Sequence, residues 1–322
     1  MLNKDQGNLT DNQTEILKEI KKLKKILLEF PPDNQISEIE KEKKGEFLIT
    51  LAYMLAEFPK SSDEAISVFL KALEIFKLLS KKVKTASING TIASIHYGKK
   101  DFQNAARYYN ESIKLFGEIS DTTNTLKERM IGIKGLGLSF LGLNDEKSGI
   151  EHLLKSADLC VEIPDIDNYM ETIVILKKIF TARSDWKTII NIEKKALKIL
   201  ESLNNQIEIS YAHIEIGLSY IRLKDYNEAL IHFQRSVNAA IKSGDNRLIY
   251  HGILMVAETL FHQREIEKAK EEYLKALSLI TFLDDQDEIS KTTLVLLTLG
   301  TSNKEIETAK TKGKLEKENK TK

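Results

Sequence analysis

Small and large apolar residues recur along the chain with a period of 40 residues, stretched once to 44. A first small position falls at Ala65, Ala105, Gly149, Ala229 and Ala269. A large apolar residue follows four positions later, at Phe69, Tyr109, Leu153, Phe233 and Tyr273. A second small position comes seven residues after the first, at Ala72, Ser112, Ser156, Ala196, Ser236 and Ala276. Because the spacing i, i+4 and i+7 marks one face of a helix, each period predicts an amphipathic helix.

A second helix precedes each of these in the predicted pattern. Its small residues stand twelve positions before the first small position, at Ala93, Gly137, Gly217 and Ala257. Small residues on both helices allow a close crossing, so each repeat is predicted to be a helical hairpin. Residues with short polar side chains stand four positions before the first small position and are interpreted as helix N-caps; they are Ser61, Asp101, Asp145, Asp185, Asp225 and Glu265.

The fourth repeat departs from this pattern. Lys177 stands where a small residue is expected, and Ile189 and Glu193 replace the first small and the large residue. This repeat is therefore predicted to pack least well.

The glycine-rich stretch from Gly132 to Gly149 raises the alternative of a phosphate-binding loop. It lacks a third glycine at the required spacing, no strand precedes it, and no Gly-Lys-Ser/Thr follows. Gly137 and Gly149 occupy small positions of the repeat, so packing is the favoured interpretation. Gly142 is placed at a turn, whereas Gly132 and Gly135 are not explained, and Gly135 is suggested to open room beside a binding groove.

Composition supports an all-helical protein and argues against several other classes. Leu, Ile and Ala dominate the apolar residues, with only 15 glycines and four prolines, and 48 basic residues balance 48 acidic ones. No long apolar run indicates a membrane span or a signal peptide, so a soluble, cytoplasmic chain without membrane insertion or specific nucleic-acid binding is expected. The single cysteine, Cys160, and six histidines fit no metal motif. No catalytic motif is apparent either; we expect a non-enzyme without cofactors or metals.

The run Gly217-Leu-Ser-Tyr220, followed by Asp225-Tyr226, Ala229, Phe233 and Ser236, resembles the tetratricopeptide repeat. The resemblance covers roughly residues 45 to 285. The long period is similar to the branch found in Leu-Gly-Asn-type polarity adaptors, kinesin light chains and bacterial peptide-sensing regulators. It implies an all-α, right-handed superhelical solenoid of about six antiparallel hairpins that binds extended or helical peptides in a concave groove.

Four regions are predicted. Residues 1–35 comprise a polar segment and a capping helix from Gln13 to Phe30, and residues 36–285 form the solenoid. Residues 286–301 form a C-terminal capping helix, and residues 302–322, rich in lysine, form a disordered basic tail.

The resemblance places the peptide-binding groove on the first helix of each repeat. The groove residues it implies are Met54, Tyr97, Lys134, Leu138, Lys178, Ile214, Leu218, Arg222, Glu258 and Phe261. The positions that carry a Lys and Asn carboxylate clamp in co-chaperone relatives hold no such pair here. An apolar lining with scattered charges favours an amphipathic helix or an extended apolar peptide.

The predicted function is a non-catalytic scaffold or adaptor that holds a peptide segment of another protein. The alternative is a ligand- or peptide-sensing regulator that acts through a partner protein. The sequence leaves the partner's identity and the oligomeric state open.

Overall fold

A computed structural model of the chain describes residues 10–163 and 165–320. All regular secondary structure in these two ranges is helical. The chain divides into two compact units, which comprise residues Met1–Ile163 and Pro164–Lys322. The predicted all-α class and stacked-hairpin architecture are confirmed.

Unit 1 consists of seven α-helices among its described residues, with short 3₁₀ turns at Asp33–Gln35 and Pro59–Ser61. The helices are α1 (Asp11–Glu29), α2 (Glu38–Ala56), α3 (Ser62–Leu78), α4 (Lys82–Gly98), α5 (Phe102–Gly117), α6 (Thr123–Gly142) and α7 (Glu146–Glu162). Three hairpins follow α1, formed by α2 with α3, α4 with α5, and α6 with α7.

Unit 2 contains eight helices in its described part. They are α8 (Ile166–Ala182), α9 (Trp186–Ser202), α10 (Gln206–Arg222), α11 (Tyr226–Ser243), α12 (Asn246–His262), α13 (Ile266–Leu283), α14 (Gln286–Thr298) and α15 (Asn303–Lys320). Its hairpins pair α8 with α9, α10 with α11, and α12 with α13. The two units together therefore contain the six predicted hairpins.

The small and large positions of the repeat form the buried seam of each hairpin. The first small residues and the large residues are all buried, and so are the second small residues. Where the second small residue is serine, it bonds across the hairpin: the hydroxyls of Ser112 and Ser156 donate to the carbonyls of Ala86 and Met130 at 2.8 and 3.1 Å. Serine is accepted in this seam because it is small and its hydroxyl has a backbone partner.

Four of the six predicted N-caps are confirmed. The carboxylates of Asp101, Asp145, Asp185 and Asp225 each accept a hydrogen bond from a backbone amide in the first turn of the following helix. Ser61 and Glu265 occupy the cap position, but their side chains do not bond to the helix. Ser61 ends a 3₁₀ turn and lacks the extended backbone of a capping residue, which accounts for the difference.

The glycines of α6 serve packing, including the two that the repeat leaves unexplained. Gly135 lies under the ring of Tyr109 on α5, and a Cβ there would collide with that ring. Gly132 meets Ile113, and Gly142, the last residue of α6, faces Phe102. The suggestion that Gly135 opens room beside a groove is therefore wrong, because Tyr109 fills the space.

Gly137→Ala is expected to lower the free energy of unfolding by about 1–2 kcal/mol, even though alanine is the better helix former. The new methyl group would lie 3.0 Å from the carbonyl oxygen of Gly149 and 3.1 Å from the backbone nitrogen of Leu153, neither of which can yield without moving α7. Urea denaturation checks this. Gly117→Ala is the control, because its Cβ meets open space and should leave stability unchanged or raised.

Helix α1 begins at Asp11, two residues earlier than predicted, because Thr10 and Gln13 form a capping box. Ile20 and Leu23 of the predicted stripe are buried, and α1 ends before Pro31. Residues 1–9 of the predicted polar segment lie outside the described residues.

The prediction of a disordered tail from residue 302 onward is wrong for Asn303–Lys320, which form helix α15. Residues 321 and 322 lie outside the described part. A few small or apolar residues are enough to pack α15 against α13. Ile306 and Ala309 are buried, and Gly313, one turn further, lies against the backbone of Ser278 on α13. Helix α14 stands at the predicted C-terminal cap, and α15 follows it.

Two of the three departures in the fourth repeat, Lys177 and Glu193, compensate each other. The ammonium of Lys177 lies 2.8 Å from the carboxylate of Glu193, whose side chain is only 4% exposed, and 2.9 Å from that of Glu215 on α10. Burial raises the pKa of Glu193, although Lys177 opposes this shift. Burial also disfavours the charged form of Lys177, but the two carboxylates outweigh it and raise its pKa. An ion pair thus stands where other repeats place a small and a large apolar residue.

Candidate functional site

The first helices of the three hairpins of unit 2 and the helix that follows them lie side by side, in the order α8, α10, α12 and α14. Lys177 of α8 bonds to Glu215 of α10 at 2.9 Å, and α10 also contacts α12. The hydroxyl of Tyr250 on α12 lies 3.0 Å from that of Thr292 on α14, and Arg247 bonds to Asp285 at 2.7 Å. These contacts hold four helices in one row.

One position of this row is apolar on all four helices. Its members stand 40 residues apart and are Val174, Ile214, Leu254 and Leu294, which we call the apolar row. Val174 and Leu294 at the two ends are 64% and 66% exposed, and the two central residues are half-buried. Val174 and Leu294 thus leave apolar area open to solvent at the two ends of the row, and exposed apolar area is typical of an interaction surface.

One turn further along each helix stand Lys178, Leu218, Glu258 and Thr298. Lys178 and Glu258 are exposed, and Leu218 is 41% exposed. Arg222 extends from the end of α10, with its guanidinium 5.9 Å from the centre of the Trp186 ring. Phe261, 46% exposed, borders the same surface on α12. The six predicted groove residues of unit 2 thus lie beside or within the apolar row.

The other four predicted groove residues lie in unit 1. Met54 packs partly against the core of α2 and α3, and the Tyr97 ring meets Phe102 edge to face at 5.5 Å. Lys134 and Leu138 on α6 are half-buried. The positions of unit 1 that correspond to the apolar row hold Thr50, Gly90 and Lys134. The equivalent helix face is therefore apolar in unit 2 but mostly polar or small in unit 1.

The exposed apolar residues on these helices that sequence reasoning missed include Tyr211 at 51%, Leu294 at 66% and Leu297 at 46%. The sequence period could have identified Leu294, since it stands 40 residues after Leu254, but α14 was interpreted only as a cap. Leu297 takes the place of the small residue of earlier repeats. It is exposed because α15 packs mainly on α13 and makes little contact with α14.

The most perturbed titratable groups lie inside the fifth hairpin. The Nδ1 atoms of His213 on α10 and His232 on α11 are 3.1 Å apart, and both residues are buried. The ring of Tyr220 stacks on His232 at 5.6 Å. Burial lowers the pKa of each histidine to about 4, and the positive charge of Arg235 acts in the same direction. Both rings are therefore neutral at pH 7, and one nitrogen donates to the other.

Other reactive groups of the described residues have structural surroundings. Cys160 is buried, with its sulfur 3.1 Å from that of Met130. Residues 10–163 and 165–320 contain no cluster of three or more His, Cys, Asp or Glu side chains able to hold a metal ion. Among the helices described, none is both long enough and apolar enough to span a bilayer.

The tetratricopeptide repeat family model matches residues 86–118 and 210–240, which cover most of the α4–α5 and α10–α11 hairpins. The chain contains tetratricopeptide repeats in these two segments. No curated protein sequence matches this chain.

Solved structures resemble this TPR protein at low identity. BtubC from P. vanneervenii is 14% identical, covers 72% of this chain and 91% of its own, and gives a TM-score of 0.47. Aspartyl phosphate phosphatase F from Bacillus subtilis is 13% identical, with coverages of 93% and 86% and a TM-score of 0.43. YrrB, described as a TPR protein with an unusual peptide-binding site, is 13% identical, with coverages of 64% and 89% and a TM-score of 0.37. Similarity at this level says nothing about the ligand of this chain.

Proposed function

We propose that this TPR protein is a non-catalytic interaction scaffold that binds a peptide segment of a partner protein on the first helices of its repeats. The observation that supports the proposal is the apolar row of unit 2. Its two end residues are about two-thirds exposed, although nothing in the hairpin seam requires apolar residues there. Water contact with such a row is unfavourable, and a partner with apolar side chains would remove it.

The groove residues of unit 2 take part in this proposal in two ways. Leu218, Ile214 and Phe261 supply apolar contact area, since each is at least partly exposed beside the row. Lys178, Arg222 and Glu258 supply charges at its border. Met54, Tyr97, Lys134 and Leu138 belong to unit 1 and extend the proposed surface to that unit's first helices, where they offer less apolar area.

Leu218→Asp is expected to weaken peptide binding by about 2 kcal/mol or more, roughly a 30-fold rise in Kd. The substitution would set a charge against the apolar side of the bound peptide. Because Leu218 is 41% exposed, the helix should tolerate it. The measurement is calorimetry on the full chain, with peptides selected from a random phage-displayed library.

Arg235→Glu is the matched control, since Arg235 is exposed on α11, a second helix of a hairpin. Circular dichroism checks that both variants keep their helices. The proposal is wrong if Arg235→Glu abolishes binding of the selected peptides while Leu218→Asp leaves it intact, because the partner would then use the second helices.

A further inference from the structure

Three charged side chains border the apolar row and form no ion pair with another described residue. They are Lys178 on α8, Arg222 on α10 and Glu258 on α12. Lys177, one residue before Lys178, is by contrast paired with the carboxylates of Glu193 and Glu215. These three charges follow a fixed sequence from helix to helix: the cations are on α8 and α10, and the anion is on α12.

Glu258 has the least favourable surroundings of the three. It stands between the apolar positions Leu254 and Phe261 on its own helix, and partial burial raises the pKa of its carboxyl, although His262 opposes the shift. A wholly apolar ligand would strip more water from this carboxylate without replacing it. A basic group on the ligand would instead give the carboxylate a partner as water leaves.

We propose that the apolar row of unit 2 binds a linear peptide in one direction, with an acidic side chain opposite Lys178 and Arg222 and a basic side chain opposite Glu258. This rests on the proposed function and adds the charge order of the ligand. Helix axes packed directly against each other lie roughly 8–10 Å apart, and α10 stands between α8 and α12, so these two helices are separated by at least about 16 Å. The acidic and basic groups of the peptide should stand about that far apart, with apolar residues between them.

The chemistry of this surface argues against a nucleic acid as the ligand and against an equivalent site in unit 1. A nucleic acid would present phosphates to Glu258 and would leave the apolar row without a partner. The first helices of unit 1 offer Thr50, Gly90 and Lys134 where unit 2 has Val174, Ile214 and Leu254. The complete combination of an apolar row and ordered charges therefore occurs within unit 2.

The test uses the full chain and peptides selected on it from a random phage-displayed library. The best peptide is compared with a version in which its acidic and basic residues are exchanged. We expect the exchange to raise Kd at least tenfold on the wild-type chain. On the double variant Lys178→Glu/Glu258→Lys we expect the preference to be lost, because the charges on α8 and α12 are then exchanged while Arg222 remains.

Lys242→Glu/Glu271→Lys is the control, since it makes the same exchange at exposed positions of α11 and α13 and should not alter the preference. Selected peptides that lack the two charges, or equal affinity for both peptides on both proteins, would overturn the charge order. If Leu218→Asp still abolishes binding in that case, the apolar site stands and only its direction is refuted. Binding that is unaffected by Leu218→Asp would refute the site itself.

Discussion

Replacing Lys177 by alanine is expected to lower the free energy of unfolding by about 3 kcal/mol, because it leaves the carboxylate of Glu193 buried without a cation. Glu193 is 4% exposed on its side chain, and Lys177 lies 2.8 Å away. Glu193→Ala is expected to cost less, since Lys177 is more accessible and keeps Glu215 at 2.9 Å. Urea denaturation of the full chain, together with hydrogen exchange of amides in α8 to α10, measures both.

The double variant Lys177→Ala/Glu193→Leu should recover most of this loss. It restores the small and large apolar pair that other hairpins have, as with Gly137 and Leu153 in the third. Lys178→Ala, at the adjacent exposed position, should have little effect on stability. A double variant as unstable as Lys177→Ala would show that the unpaired carboxylate of Glu193 is not the cause of the loss.

Lowering the pH from 7.5 to 5 is expected to destabilise the fifth hairpin by about 2 kcal/mol for each of its two buried histidines. His213 and His232 have pKa values of about 4 in the folded chain, against 6.5 for an unperturbed histidine. A lowered pKa means that the unfolded chain binds protons first. The contribution is therefore complete above pH 6.5 and is lost as the pH falls from there toward 4.

His213→Gln/His232→Gln should flatten this pH dependence, whatever its effect on stability at pH 7.5. His251→Gln is the control, because His251 is exposed on α12 and lies outside the pair. Hydrogen exchange of α10 and α11 amides between pH 5 and 7.5, corrected for intrinsic rates, provides the measurement. A slope in the double variant equal to that of the wild type would assign the acid sensitivity to other groups.

The hairpins could be predicted because their determinants are local and repeated. Ala229, Phe233 and Ser236 identify a buried face by spacing alone, and four other copies of the pattern confirm the choice of face. The aspartate caps follow from the same logic, since a cap bonds to an amide three residues away. The positions of the predicted groove residues on the first helices of unit 2 also follow from the repeat, because a repeated fold places equivalent residues every 40 positions; that these residues bind a peptide stays a prediction.

The predictions for Gly135 and for Asn303–Lys320 were wrong because they depended on contacts between residues that are far apart in the sequence. Gly135 and Tyr109 meet across the α5–α6 contact between successive repeats, so no pattern within one repeat explains the glycine. Helix α15 depends on the surface that α13 offers to Ile306 and Ala309, and composition alone gave no sign of it.

The sequence by itself determined that this protein is a chain of helical hairpins, because a periodic stripe of small and large residues can be buried only by stacking such hairpins. Only the tertiary structure decided how the exceptions are accommodated. Lys177 and Glu193 both violate the repeat, and their sequence positions do not reveal that the two side chains meet in the interior. Their charges are tolerated because each lies within 3 Å of an opposite charge, a condition that depends on the distance between two helices.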